Sequence, residues 1–335
     1  MDSGNNVILS VILPIYNVEN YIRQAIDSIL EAGCLEGIEI ILVDDGSTDS
    51  SGKIADEYFG KGIKVFHKPN GGLSDARNYG LYHATGQYVF FMDSDDKVES
   101  SLFVEFISFV KSCNSEVVLW DAKIIDEQGA TINSSMQEYF SHKGLFSRKQ
   151  YTGKEAICDQ LRDHNDFVTT VWLGAYKREF IIKNSLWFEY GLLHEDELWT
   201  PRVLCKAECV EYLNINLYEY RIRTNSIMTG SGKDRSRNIN DLIYIFSNMY
   251  NYYDWSISDE VLRQELKANV SKRYLHRISH YNAYGYPAVS KKIDKVEIFK
   301  NSKGIKDKIR SFVLLLSGRM YCGLTKSFRE GREIK

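Results

Sequence analysis

Over residues 1–125, short β-branched apolar runs alternate with amphipathic stretches, and two of those runs end directly on clusters of aspartate. Val7–Leu13 has the length and composition of a buried strand, with Pro14 as its expected end. Val18–Ala32 then repeats Ile22, Ala25, Ile26, Ile29 and Leu30 at three- and four-residue spacing, with Glu19 in the first turn and Gly33 at the end, which predicts a helix. Ile38–Val43 reads as a second buried strand running into Asp44-Asp45-Gly46-Ser47. Ser47–Phe59 is helical in character and Lys64–Phe66 is strand-like. After the turn Asn70-Gly71-Gly72, Ser74 is expected to cap a helix to about Ala84, with Gly86 closing it. Gln87–Met92 is a fourth strand, met at once by Asp93-Ser94-Asp95-Asp96. Ser100–Ser112 predicts a helix and Glu116–Ile125 one further strand. Strands and helices in this rhythm imply a mostly parallel sheet covered on both faces. Ligands of such sheets sit at the carboxyl ends of the strands, where both aspartate clusters lie.

The rest of the chain is less regular. Gly129–His164 is polar and poorly periodic and reads as an excursion or loop. Thr170–Tyr176 is strand-like, Lys177–Asn184 and Glu195–Lys206 helical, Val210–Tyr220 extended, and Ile239–His280 helical. With 335 residues, 44 % apolar and 26 % charged, the chain has ample material for a core and is not a disordered or coiled-coil protein. Its six cysteines are scattered without any C-x-x-C, so neither a zinc site nor a disulfide framework is expected. The opening MDSGNNVILSVILPIY lacks a basic leader and is broken by Ser10 and Pro14, so it reads as a buried strand, and no apolar run has the length of a membrane span. These features predict a reduced, cytoplasmic protein.

Asp93-x-Asp95-Asp96 sets three carboxylates within four residues. Adjacent like charges raise one another's pKa and destabilise the fold unless a cation joins them. Hard oxygen donors suit Mg²⁺ or Mn²⁺, ions that keep waters and share their shell with a diphosphate. A plain helix cap ahead of Ser100 would need only one aspartate. In Asp44-Asp45-Gly46-Ser47-Thr48-Asp49 a carboxylate at a strand end can accept an imide N–H, while the alternative is a strand-to-helix turn capped by Ser47 or Thr48. In Asn70–Asn78 the glycines allow close backbone approach and Arg77 offers a fork for a diphosphate, or an ion pair with Asp75. His194-Glu195-Asp196-Glu197 opens a helix, and its acids serve either the helix dipole or general-base chemistry. Arg221, Arg223 and Ser226, after the last extended segment, could clamp phosphates. Neither a G-x-G-x-x-G nor a P-loop is present, which counts against a dinucleotide dehydrogenase and a P-loop NTPase.

Taken together and in order, ILPIYNVENYI, VDDGSTD, NGGLSDARN, FMDSDD and HEDELW resemble family 2 glycosyltransferases with the GT-A fold, over roughly residues 7–230. The resemblance implies a Rossmann-like α/β nucleotide-binding sheet flanked by helices (residues 1–125), an acceptor half (126–230) and a helical C-terminal extension (231–335). It implies inverting transfer of one hexosyl unit from a UDP-sugar to a hydroxyl of a glycan acceptor, lipid-diphosphate-linked in capsule or O-antigen assembly, with Mn²⁺ or Mg²⁺ as cofactor. By motif, Pro14 and Tyr16 would border uracil, Asp45 would accept its N3–H, and Arg77 would hold the nucleotide. Asp93 would meet the ribose or a metal-bound water and Asp95 the metal, with Asp96 in either role. Asp196 of the Glu195-Asp196 pair would be the base, and Arg221, Arg223 and Ser226 would meet the diphosphate. The Q-x-x-R-W motif and membrane helices of processive synthases are missing, so a single addition is implied. A non-catalytic nucleotide-sugar or glycan-binding module is the competing reading. A sugar-nucleotide pyrophosphorylase would need a glycine-rich loop that VILPIYNVENY lacks.

Charge is unevenly spread. Lys291–Lys335 holds 13 Lys and Arg against 5 Asp and Glu, leaving 29 against 40 for the first 290 residues. Nothing in that balance suggests a nucleic-acid partner. In the tail Ile305, Ile309, Phe312, Val313 and Leu316 recur at helical spacing beside Lys306, Lys308 and Arg310. That pattern fits either an interfacial helix on an anionic bilayer at the inner membrane face, or a helix packed on the body with a solvated basic side.

Overall fold

The computed structural model describes residues 7–33, 35–60, 62–142, 144–145, 150–223 and 235–333. The chain divides into two compact units, Met1–Gly230 and Ser231–Lys335.

The first unit opens with β1 (Leu9–Ile15), α1 (Ile22–Leu30), β2 (Ile38–Asp44), α2 (Ser51–Asp56), β3 (Ile63–His67), α3 (Leu73–His83) and β4 (Tyr88–Phe91). β5 (Lys97–Val98), α4 (Ser100–Val110), β6 (Val117–Leu119), β7 (Ala122–Ile125), β8 (Gln150–Tyr151) and α5 (Gly153–His164) follow. The unit closes with β9 (Gly174–Lys177), α6 (Arg178–Lys183), α7 (Asp196–Lys206), β10 (Val210–Tyr212) and β11 (Tyr218–Arg221). Eight strands form one sheet in the order β3-β2-β1-β4-β9-β6-β10-β8, and β5-β11-β7 form a small second sheet. β1 to β4 are mutually parallel, whereas β9 runs antiparallel between β4 and β6. Every residue of β1, β2 and β4 is buried, which is why each is a continuous apolar run rather than an alternating one.

Chain order reverses at β1, whose neighbours are β2 and β4. A crevice therefore opens beyond the carboxyl ends of β1 and β4, the usual ligand position in such sheets. β1 does not stop at Pro14 as expected. It pairs with β2 through Ile15 but with β4 only as far as Ile12, so Pro14 lies where one side of the strand is already free.

The expected strand Glu116–Ile125 is two strands in two sheets. Trp120 and Asp121 leave the large sheet to donate to Leu173 O and Ile215 O, and the chain resumes as β7. Val210–Tyr220 splits in the same way into β10 and β11. The polar excursion from Gly129 contains α5, started by a complete capping box between Thr152 and Glu155. Thr170–Tyr176 begins as a 3₁₀ turn over Val171–Leu173 before β9. The N-cap of α3 is Gly72, not Ser74, whose buried hydroxyl has no partner.

Helix α3 lies on β1 through Gly80, where a methyl group would overlap Cγ2 of Ile12. Gly80→Ala should therefore destabilise the protein by ~1–3 kcal/mol, although alanine favours helix by about 1 kcal/mol. Thermal melting of the variant measures this, and an unchanged or higher Tm would show that the helix can shift at no cost.

The second unit comprises α8 (Ser236–Ser256), α9 (Glu260–His280), α10 (Pro287–Ser290), α11 (Lys295–Asn301), α12 (Gly304–Leu316) and α13 (Gly318–Glu333). The long helix expected over Ile239–His280 is the pair α8 and α9, broken at Ile257–Asp259. The two pack on each other through buried Leu242, Phe246, Leu266, Val270 and Tyr274. Among the described residues no helix is long and apolar enough to cross a membrane.

Candidate active site

The end of β2 delivers two adjacent carboxylates with opposite duties. Asp44 accepts from Ser47 N (3.0 Å) and faces His67 Nδ1 (2.9 Å), contacts that hold its carboxyl below the ordinary range despite burial. Asp45 turns the other way, accepting from Gly71 N (2.9 Å), Gly72 N (2.7 Å) and Lys68 Nζ (2.5 Å). It thereby fixes the glycine turn ahead of α3. Gly46 lies against that turn with φ +73°, and a Cβ there would come within 2.9 Å of Asn70 N. Lys68 also pairs with Asp75 (2.5 Å). The carboxylate expected at uracil is thus already a structural acceptor, with one lone-pair site to spare on Oδ2. Pro14 is buried and its carbonyl accepts from Ser94 Oγ (2.7 Å), while Tyr16 stands half exposed at the crevice edge.

The three acids after β4 separate. Asp93 and Asp95 keep 27 % and 21 % of their side chains accessible, whereas Asp96 is 2 % exposed. Expected beside Asp95 at a metal, Asp96 is turned into the protein instead. It accepts from Tyr218 OH (2.8 Å) and Arg221 N (2.7 Å), and burial followed by its two acidic neighbours pushes its carboxyl well up. The same Tyr218 hydroxyl accepts from Asp93 N (3.1 Å), so β11 sets the backbone of the aspartate turn. Asp95 is also raised, first by burial, with Arg223 opposing.

Arg221 was expected to meet a diphosphate. It is instead buried, and its three guanidinium nitrogens donate to Asp95 O, Asp126 O, Glu127 O and Gln24 Oε1. It ties β11 to the aspartate turn and commits four of its five N–H donors to the protein. Arg223 does reach the site, with Nε 2.7 Å from Asp95 Oδ2 and its guanidinium over Tyr21. Ser226 lies outside the described residues.

Arg77, also expected to hold the nucleotide, is 2 % exposed and spans two acids 102 residues apart in sequence (195 − 93). Nη2 donates to Asp93 Oδ1 (2.7 Å), Nη1 to Glu195 Oε1, and the plane lies over Phe188. The next residue, Asn78, pairs with Phe188 as a strand would: its Nδ2 donates to Phe188 O (2.8 Å), and Phe188 N donates to Oδ1 (2.9 Å). Phe188 stacks on Trp199, whose indole N–H holds Leu186 O (2.9 Å). The segment leading into α7 is therefore gripped from α3 on one side and from α7 on the other. His194 then takes a left-handed φ of +63°, and Glu195 and Asp196 follow.

Glu195 is turned inward onto Arg77. Asp196 accepts from Glu197 N (2.9 Å) and remains partly accessible. Burial first, then the charges of Glu195 and Glu197, push Asp196 up to about 8, with Arg77 acting in the opposite sense. A carboxyl poised near working pH beside an open crevice can exchange a proton with a hydroxyl. Two carboxylates, Asp93 and Asp95, are what a diphosphate-bound divalent cation needs from a protein. No third acid, histidine or cysteine joins them in a metal-sized cluster among the described residues.

Sequence reasoning passed over Lys68 and Phe188. It gave no role to Asn78, which closes the stretch Asn70–Asn78, or to Tyr218, which opens the segment that carries Arg221 and Arg223.

The glycosyl transferase family 2 model matches residues 10–183. Glycosyltransferase YibD of Escherichia coli K12 is 32 % identical over 231 residues, 68 % of this chain and 64 % of that protein. The minor teichoic acid biosynthesis protein GgaB of Bacillus subtilis is 40 % identical over 222 residues, 65 % of this chain but 23 % of its own length. This chain thus spans less than two thirds of either relative. In fold it is similar to S. aureus TarS 1–349 solved with UDP-GlcNAc, with a TM-score of 0.68 at 20 % identity over 97 % of this chain and 92 % of that one. The crevice beyond β1 and β4, its split aspartate cluster and the matched segment agree: the chain belongs to glycosyl transferase family 2.

Proposed function

We propose that the chain is an inverting, metal-dependent transferase that moves one hexosyl unit from a UDP-sugar to a hydroxyl of a glycan acceptor carried on a lipid diphosphate, in surface-polysaccharide synthesis. The observation that carries this reading is the ion chain Asp93–Arg77–Glu195, which joins the aspartate turn to the acids at the start of α7. TarS binding UDP-GlcNAc supports the donor class, and the name of GgaB supports polymer synthesis.

In this reading Pro14, Tyr16 and Asp45 border the uracil, Asp93 meets the ribose or a metal-bound water, and Arg223 meets the diphosphate. Asp95, with Asp93 reaching the ion through one of its waters, would hold Mn²⁺ or Mg²⁺, which would neutralise charge on the departing diphosphate. Asp196 takes the proton of the acceptor hydroxyl as that oxygen bonds to the anomeric carbon. The bond from that carbon to the diphosphate breaks on the opposite face, and UDP leaves with the electron pair. A single displacement of this kind inverts the centre. Glu195 and Arg77 hold Asp196 in place, and Asp96 and Arg221 act behind the aspartate turn.

Thermal melting with UDP, with and without Mn²⁺, tests the donor site in wild type and Asp95→Asn. Ligand at ~100 times its Kd adds about 2.7 kcal/mol, which is roughly 5 °C or more for this size. The shift should need both UDP and Mn²⁺ and vanish in the variant. A shift with dTDP or GDP alone would change the donor class, and no shift with any nucleotide would overturn the reading.

A further inference from the structure

Helix α12 is amphipathic, but it buries the narrower part of its surface. Its packed side carries Ser311 and Leu314, both inaccessible, against α9, α11 and α13. At about 100° per residue, Ile305, Ile309, Phe312 and Leu316 fall within an arc of roughly 60° on the opposite side. These four are 83, 59, 49 and 64 % exposed. A surface helix of a soluble protein turns such a stripe inward, so an outward one marks a surface that is covered by something else.

The charges beside the stripe indicate what covers it. Lys306 and Lys308 lie on either side, each roughly 70–90° from its centre. The single acid of α12, Asp307, is mostly buried and neutralised by Arg310 at 2.9 Å. From Lys295 to Leu316 there are six cations and two acids. Lys308 is folded back, its ammonium over the Phe299 ring and donating to Phe299 O (2.8 Å), which leaves its charge at the edge of the stripe. α13 adds exposed Met320 and Leu324.

We propose that this face docks on an anionic lipid surface. The stripe would enter the boundary between headgroups and acyl chains, and the lysines would lie among the phosphates, as interfacial helices do. The stripe runs about 16 Å along the helix axis, so it lies in the interface and does not span it. A second copy of the chain would bring the same cationic rim against itself, which disfavours self-association as the cover. Docking is independent of the transferase reading, because it is read without any turnover.

Flotation of the full chain with vesicles of phosphatidylglycerol and phosphatidylcholine, against pure phosphatidylcholine, tests it. Wild type should float with the anionic vesicles only. Partition should fall by about tenfold or more in Ile305→Glu/Ile309→Glu and in Lys306→Glu/Lys308→Glu, and should weaken in high salt as the screening length shortens. Ile305 and Ile309 are the well-exposed members of the stripe, whereas Phe312 also meets the Phe299 ring, so the melt of the Ile305→Glu/Ile309→Glu variant should match wild type and rule out unfolding as the cause. Absence of wild-type flotation would overturn the proposal, as would full flotation by either double variant. It would also fail if the apolar pair abolished self-association in sedimentation while wild type ignored vesicles.

Discussion

Arg77→Met should cost about 3–5 kcal/mol of stability, the usual penalty for removing one partner of a buried ion network. The cation sits 2 % exposed between Asp93 and Glu195. Methionine fills much of the space and keeps the contact with Phe188, so the loss reports two abandoned carboxylates rather than a cavity. For a unit of this length that is roughly 6–20 °C in Tm. Two accompanying results identify the cause. Glu195→Gln in the Arg77→Met background should recover part of the loss, because one uncompensated charge is removed. The deficit should also shrink as pH falls: burial already raises Glu195, and without Arg77 it is raised further, so the acid takes up a proton. Arg77→Lys keeps the charge but cannot fork to both acids, and should fold while transfer falls by up to ~10²-fold through a displaced Asp196. A melt of Arg77→Met within 1 °C of wild type would remove Arg77 from the centre of the site.

The stretch from β1 to β4 was legible because β1, β2 and β4 are buried on both faces and so read as unbroken apolar runs. The rest of the first unit was not. Its strands are two to four residues long, and Trp120–Asp121 carries the chain from one sheet to another with no turn residue to mark the step. α5 was overlooked although Thr152-x-x-Glu155 spelled a capping box, because its helical face is short and polar. In the site, the sequence marked turns but not the direction of each side chain. Nothing local says that Asp96 faces Tyr218 while Asp95 faces Arg223, or that Arg221 is spent on three carbonyls and a glutamine. Arg77 and Glu195 are 118 residues apart and Asn78 and Phe188 are 110 apart, separations at which only tertiary packing decides partners. Arginines near a phosphate motif were read as phosphate ligands, whereas two of the three proved to be part of the frame.

Asp196→Asn should lower transfer by ~10²–10⁴-fold, the typical share of a general base, while leaving the UDP- and Mn²⁺-dependent melting shift intact. It should also raise Tm. In the folded protein Asp196 titrates near 8, because burial and the charges of Glu195 and Glu197 disfavour its ionised form. Its unfolded value is near 3.9. Below the unfolded value the group is protonated in both states, so variant and wild type should melt together. As pH rises between the two values the folded carboxyl resists ionisation while the unfolded one does not, and wild type loses stability that the amide keeps. The difference should grow from about pH 4 to about pH 8 and then level off. Between these two values the difference at pH 7 reaches as much as ~4 kcal/mol, which reads as roughly 8–16 °C. Transfer in wild type should rise with pH over the upper part of the same window, as the base loses its proton. Together these tie one side chain to both a rate and a stability profile. Wild-type transfer in Asp196→Asn would exclude it as the base, whereas no transfer by wild type with any donor would favour a non-catalytic glycan-binding module. A variant that melts below wild type at pH 7 would mean that Glu197 N and its neighbours need the charge more than burial opposes it.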